Sequence, residues 1–218
     1  MPVRTSTIAA LRSLVDTRFP TFARKLSAGV CTGVGPIDEA LGGGLPPGQL
    51  TELVSSTAGS GGQLVLTRLL ITTRAERQRV ALVDGVDGFA PESVPMDALR
   101  HLVWTRPRTL PEALSAADVL VRDGNYAVVV LDLRGVNERA LLNTPKSLWH
   151  RLQRAAESRP AAVLVQTTRG LVPAVPWRLT LSKPFGLAAS RLSQEKLLAQ
   201  LSVEITRGHA LHAEELAG

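Results

Sequence analysis

Hydrophobic residues in this chain fall into two kinds of run. The first kind is short, unbroken and rich in β-branched residues: Val80-Ala81-Leu82-Val83 ends on Asp84, and Val128-Val129-Val130-Leu131 ends on Asp132. Apolar runs without polar alternation predict strands buried on both faces of a parallel sheet. By that criterion strands are expected at 49–54, 80–84, 101–104, 126–132 and 161–166, with a short ambiguous piece at 179–181. The second kind repeats at helical spacing. It predicts helices over 63–74, within 92–100, from Thr109 onward with Leu110, Ala113, Leu114, Ala117, Leu120 and Val121 inward, and over 145–158. Residues 191–207 carry the apolar pattern of one or two closing strands. Strands alternating with helices predict an α/β fold with a mainly parallel central sheet flanked by helices.

Before this core, residues 6–19 form an amphipathic pattern, with Ser6 as a candidate N-cap and Pro20 either stopping or kinking the helix. Ile8, Leu11, Leu14, Val15, Phe19 and Phe22 fall along one stripe. Such a stripe needs an apolar groove, supplied either by this chain's own core or by a partner. The expected organisation is a helical arm and linker over 1–31, a core over 32–207 and a tail over 208–218. His209 and His212 sit in the tail without carboxylates around them and read as solvated, so no metal site is expected.

Composition narrows the picture modestly. The 218 residues are 44% hydrophobic and 20% charged, ordinary for a globular chain long enough to bury a core. Net charge is +6, and nearly all the cations are arginine. That balance fits an acidic partner, nucleic acid first, or an evenly solvated surface. A single cysteine, Cys31, excludes an intramolecular disulfide and a cysteine-based metal site, and is expected to be a buried apolar residue. No apolar run reaches membrane-spanning length, and Arg12, Asp16 and Arg18 interrupt any signal-peptide core; a cytoplasmic location is expected.

The chemistry concentrates after the first strand. A Gly-rich turn, Gly42-Gly43-Gly44-Leu45-Pro46-Pro47-Gly48, leads through Glu52-Leu53-Val54 into the small-residue loop Ser55-Ser56-Thr57-Ala58-Gly59-Ser60-Gly61-Gly62-Gln63 and an apolar helix. Strand, small-residue loop and helix is the layout of a phosphate-binding loop, in which a Lys reaches the terminal phosphates and a Ser/Thr hydroxyl holds magnesium. No lysine occurs between Lys25 and Lys146, so the catalytic cation is absent in every register. Backbone N–H groups at the helix start could still hold an anion. Ser55, Gly59, Ser60, Gly61, Gly62 and Asp132 are therefore candidates for a degenerate nucleotide site, with no catalytic residue and no cofactor expected.

The order of these segments resembles the RecA fold over about residues 32–207. Ile37 to Gly48 looks like the segment before the RecA phosphate loop. Val83-Asp84-Gly85-Val86 looks like the strand carrying the water-activating Glu, with Val86 at that position. Asp132 falls where the magnesium-side Asp would be, although a strand-end Asp also caps turns. Gln166-Thr167 matches the nucleotide-sensing pair. The resemblance implies a RecA-like core stripped of its charge clamp and its water activation.

Two basic groups, Arg134, Arg139 and Lys146, then Arg169, Arg178 and Lys183, are expected at the carboxyl ends of the strands, where α/β sheets bind ligands. They are candidates for weak, non-specific DNA binding, with Trp149, Trp177 and Phe185 as stacking candidates. A short RecA-like chain with a lysine-free loop and an amphipathic arm resembles the ImuA family. That resemblance implies a non-catalytic accessory to damage-induced (SOS) error-prone translesion synthesis. Its implied partners are an ImuB-like polymerase homologue and an error-prone C-family polymerase, while the amphipathic arm offers a contact for a neighbouring RecA-like subunit, RecA itself or a second copy of the chain. The alternatives are a SulA-type cell-division inhibitor and a RecA/RadA-type DNA-dependent ATPase in which Lys146 or Lys183 replaces the missing lysine.

Overall fold

A computed structural model describes residues 29–207 except Ala58 and Ala174. The expected arm with its stripe from Ile8 to Phe22, and the tail with His209 and His212, lie outside the described residues. The chain enters through an isolated bridge between Val30 and Leu45. Gly44 must be glycine there: its φ is +122°, and a Cβ would lie 2.5 Å from the Val30 carbonyl oxygen. Helix α1 (Gly35–Ala40) follows, tied down by Asp38, whose carboxylate accepts from the Thr32 and Gly33 N–H groups at 2.8 and 3.0 Å. Cys31 departs from expectation. It is exposed, donates to Asp38 at 3.2 Å, and its thiol pKa is raised by partial desolvation and by that carboxylate.

The remaining elements alternate as the apolar runs require. They are β1 (Leu50–Ser55), α2 (Gly62–Ala75), β2 (Val80–Asp84), α3 (Met96–Leu99), β3 (Leu102–Thr105), α4 (Leu110–Asp123), β4 (Val128–Asp132), α5 (Glu138–Leu142), α6 (Lys146–Glu157), β5 (Ala162–Thr167), β6 (Trp177–Leu181), α7 (Gln194–Ala199) and β7 (Val203–Arg207). They build a seven-stranded sheet in the order β3-β2-β4-β5-β1-β6-β7, parallel throughout except for the antiparallel β6–β7 pair. Among the described residues no helix is long and apolar enough to cross a membrane.

Both faces of the sheet are buried, which is why its strands read as continuous apolar runs. Val80, Leu82, Val128, Val130 and Leu164 face the α2 side with Val65, Leu66 and Leu69. Ala81, Val83, Val129, Leu131 and Val165 face the other side, under Ala113, Ala117 and Val121 of α4 and Trp149 and Leu152 of α6. Thr109 caps α4 by accepting from the Glu112 N–H, and Gly124 ends it in the left-handed region. Trp149 and Trp177 are 2% and 8% exposed, so neither offers a face for base stacking.

The segment 191–207 holds one strand and one helix rather than only strands. Ser193 accepts from the Lys196 N–H and starts α7, because Gln-Glu-Lys-Leu-Leu-Ala is a run of strong helix formers behind an N-cap.

Candidate functional site

The loop between β1 and α2 lies at the carboxyl end of β1, an interior strand of the sheet between β5 and β6. Gly59 and Gly61 both adopt positive φ, +80° and +100°. Ser60 closes the loop on itself: its N–H donates to the Thr57 carbonyl at 3.2 Å, and its Oγ accepts from the Thr57 N–H at 3.2 Å. A second clamp comes from the linker after β6, where the Phe185 N–H donates to the Gly59 carbonyl at 3.0 Å. The Phe185 ring stands over Gly61, so a Cβ there would meet it at 3.3 Å. Around the loop lies a cavity of about 750 Å³, walled also by Val86, Thr168, Leu187 and Leu197.

The centre of the site is an ion pair. Asp132 ends β4 fully buried, and the Arg134 guanidinium folds back onto it, with Nε 2.9 Å from Oδ1 and Nη2 2.5 Å from Oδ2. The Arg134 N–H adds a bond to Oδ1 at 3.1 Å. Arg134 Nη2 also reaches Gln63 Oε1 at 3.5 Å. Its Nη1 enters the space where residue 62 would carry a side chain: a Cβ on Gly62 would lie 2.5 Å from Nη1 and 2.8 Å from Ser55 Oγ. The guanidinium thus sits between the start of the loop helix and the strand-end carboxylate. In a working phosphate loop that interval holds the metal ion.

Neighbouring groups complete the arrangement. Gln166 Nε2 donates to the Gly62 carbonyl at 3.4 Å, while Gln166 Oε1 and Ser55 Oγ are buried without a hydrogen-bond partner. Val86 is part of the cavity wall and brings no ionisable group. Asp84 is buried and committed to its own turn, accepting from the Gly88 and Phe89 N–H groups at 3.0 Å and from Trp104 Nε1 at 3.3 Å. Among the described residues, Lys146 and Lys183 are not part of the cavity wall, and Arg134 is the only cation that is.

Of the residues expected in the nucleotide site, Ser55, Gly59, Ser60, Gly61 and Gly62 line the cavity, and Asp132 lies behind Arg134. The six basic residues divide evenly. Arg134 is spent on Asp132. Arg169 pairs with Glu138 at 3.0 Å. Arg178 is four-fifths buried and pairs with the fully buried Glu52 at 2.5 Å. Arg139, Lys146 and Lys183 are exposed and make no ion pair among the described residues. The two groups therefore do not form one free cationic surface.

The Glu52 network was not anticipated from the sequence. Its carboxylate accepts from Thr167 Oγ1 and the Leu171 N–H at 2.9 Å and from the Val172 N–H at 3.1 Å, fixing the chain after β5 against β1. Its one sequence signal is a lone charged residue in a strand of uncharged ones; the parallel pairing that brings Arg178 opposite it in register is visible only in the fold.

No protein-family model matches the chain. It is 31% identical over 121 residues to the DNA repair and recombination protein RadB of Thermococcus kodakarensis, covering 50% of this chain and 53% of that one. It is 33% identical over 107 residues to protein RecA of Chlorobium chlorochromatii, covering 47% of this chain and 30% of that one. The matches thus span about half of the first relative and under a third of the second. With the mostly parallel seven-stranded sheet, they place this chain's α/β core as RecA-like.

Proposed function

We propose that the protein is a non-catalytic RecA-like accessory factor of damage-induced error-prone translesion synthesis, of the ImuA kind. In this reading it acts through contacts with an ImuB-like polymerase homologue, an error-prone C-family polymerase and RecA. The observation that carries the non-catalytic part is the Arg134–Asp132 pair seated over Gly62. Phosphoryl transfer needs a cation on the phosphates, a carboxylate free to hold magnesium and a group that orients water. This loop has no lysine, Asp132 is neutralised from within the chain, and Val86 stands where a carboxylate would serve. Each loss removes orders of magnitude from the rate.

The RecA-like core and the lysine-free loop support the accessory role, because a hydrolysis-dead subunit retains the contact surfaces of its fold while losing the cycle that drives release. The test has two arms. Purified protein should show no ATP turnover with or without single-stranded DNA, and turnover in the usual enzyme range of ~1–100 per second would refute the non-catalytic reading. Affinity-tagged protein from damaged cells should retain a Y-family-like polymerase homologue and a C-family polymerase. Recovery of the division GTPase instead would redirect the assignment to cell-division inhibition.

A further inference from the structure

Four arginines gather at the opposite end of the sheet from the loop. There α2 ends, and the strands β2 and β3 begin side by side, with the Val80 N–H donating to the His101 carbonyl at 3.2 Å. A cleft of about 780 Å³ opens between them, walled by Arg74, Arg77, Arg79, Arg100 and His101. Its wall includes one carboxylate, Asp97, which accepts from Arg74 Nε and Nη2 at 2.9 and 3.1 Å and lies 3.9 Å from Arg100 Nε. Four guanidinium groups against one carboxylate leave three positive charges around one concavity. Arg77 and Arg79 are exposed and make no ion pair among the described residues.

We propose that this amino-end cleft binds the sugar-phosphate backbone of nucleic acid through Arg77, Arg79 and Arg100, independently of the loop site at the other end of the sheet. Two features favour it over a protein-docking surface. The cations are all arginine, whose planar fork matches phosphate oxygens. Among the described residues the wall also lacks the Trp, Tyr or Phe anchor that protein interfaces centre on; its apolar members are Ile71, Ala75, Pro95 and Ala98. Backbone conformation adds a third feature. Arg77 holds φ at +56° in the turn after α2, where glycine would sit without strain. The turn thus keeps a guanidinium at a position that backbone sterics alone would assign to glycine.

The charge is insensitive to pH in the neutral range. Burial, then Arg74, lowers the His101 pKa, so the cleft's charge at neutral pH comes from arginine alone. Contacts to three phosphates predict a log–log salt slope of about −2 on a single strand, or an affinity loss of about fifteenfold between ~50 and ~200 mM salt.

The experiment is fluorescence anisotropy of a labelled oligo(dT) strand with the full chain, across that salt range, with a labelled polyglutamate peptide as the competing polyanion. Arg77→Gln/Arg79→Gln/Arg100→Gln should bind oligo(dT) at least about tenfold more weakly at low salt with a slope near zero, and Arg139→Gln/Lys146→Gln should match the parent. The single substitution Arg79→Gln, at an exposed position, should lower the slope by about 0.7 and serves if the triple variant fails to fold. Parent-like binding by the triple or single variant, loss confined to the Arg139/Lys146 variant, or capture of polyglutamate without oligo(dT) would each overturn the assignment.

Discussion

The guanidinium of Arg134 and the missing side chain of Gly62 occupy one volume: a Cβ at position 62 would lie 2.5 Å from Arg134 Nη1. The two positions are 72 residues apart in the sequence, and each explains the other. Without a β-carbon at the helix start the guanidinium can approach the loop. With the guanidinium there, any side chain at 62 collides.

Gly62→Ala should therefore destabilise the protein by ~1–3 kcal/mol, the usual cost of overpacking. In the Arg134→Ala background the cost should shrink but not vanish: the guanidinium is gone, Ala outranks Gly in a helix by up to ~1 kcal/mol, and a Cβ would still lie 2.8 Å from Ser55 Oγ. Urea unfolding of the four proteins closes the cycle. An equal cost in both backgrounds would mean that the two groups do not compete for space.

Glu52 and Arg178 supply the second test. Arg178→Ala leaves a carboxylate that is fully buried, with Thr167 and two backbone N–H groups but no cation, and should cost ~3–5 kcal/mol. Glu52→Gln with Arg178→Met removes both charges and should recover much of that loss. Chemical denaturation reads both values, and a loss under ~1 kcal/mol for Arg178→Ala would show that the pair is not structurally committed.

Much of this fold was legible in the chain, and the reason is physical. Val80–Asp84 occupies the very strand its unbroken apolar run predicts, because burial on both faces leaves no room for polar alternation. Thr109 starts α4 as expected, through local capping chemistry that needs no tertiary information. Contacts distant in sequence were not legible. Arg134 read as a surface cation because its spacing from Asp132 says nothing of Gly62 across the sheet. Arg178 read the same way because Glu52 looked like one more residue of an entering strand. The loop residues that line the cavity, Ser55, Gly59, Ser60, Gly61 and Gly62, stand together in the sequence, whereas the guanidinium among them comes from a distant strand end.

Stability should also depend on pH through His101. Burial first, then Arg74, holds its pKa below the ordinary 6.5, against an opposing pull from Asp97. Its Nε2 is 2.9 Å from Thr73 Oγ1, and its Nδ1 is buried without a partner. Below pH ~6.5 the unfolded chain binds a proton that the folded one resists, so folding stability falls as pH drops from ~7 through ~6. His101→Gln should flatten that part of the curve in thermal melts. A melting temperature that falls as steeply in the variant as in the parent would place the effect on other groups.

The last prediction concerns metal. In the parent, Asp132 is neutralised by a guanidinium that no solution cation can outcompete cheaply, because displacing it would strand Arg134 beside the loop. Millimolar magnesium or manganese should leave the parent's melting temperature unchanged. Arg134→Ala reverses this: it leaves a carboxylate that is fully buried and keeps the backbone N–H of residue 134, while the buried Ser55 hydroxyl beside the vacated guanidinium space has no partner. That variant should first lose ~3–5 kcal/mol through the uncompensated charge. It should then regain part of the loss in divalent cation, since a ligand that binds only the folded state stabilises by RT ln(1 + [L]/Kd), about 2.7 kcal/mol at a hundredfold excess over Kd. Arg134→Ala combined with Asp132→Asn removes the charge and should abolish the metal response while relieving the destabilisation. If magnesium or manganese stabilises the parent as much as Arg134→Ala, then Arg134 does not occupy the metal's place and the non-catalytic reading loses its main support.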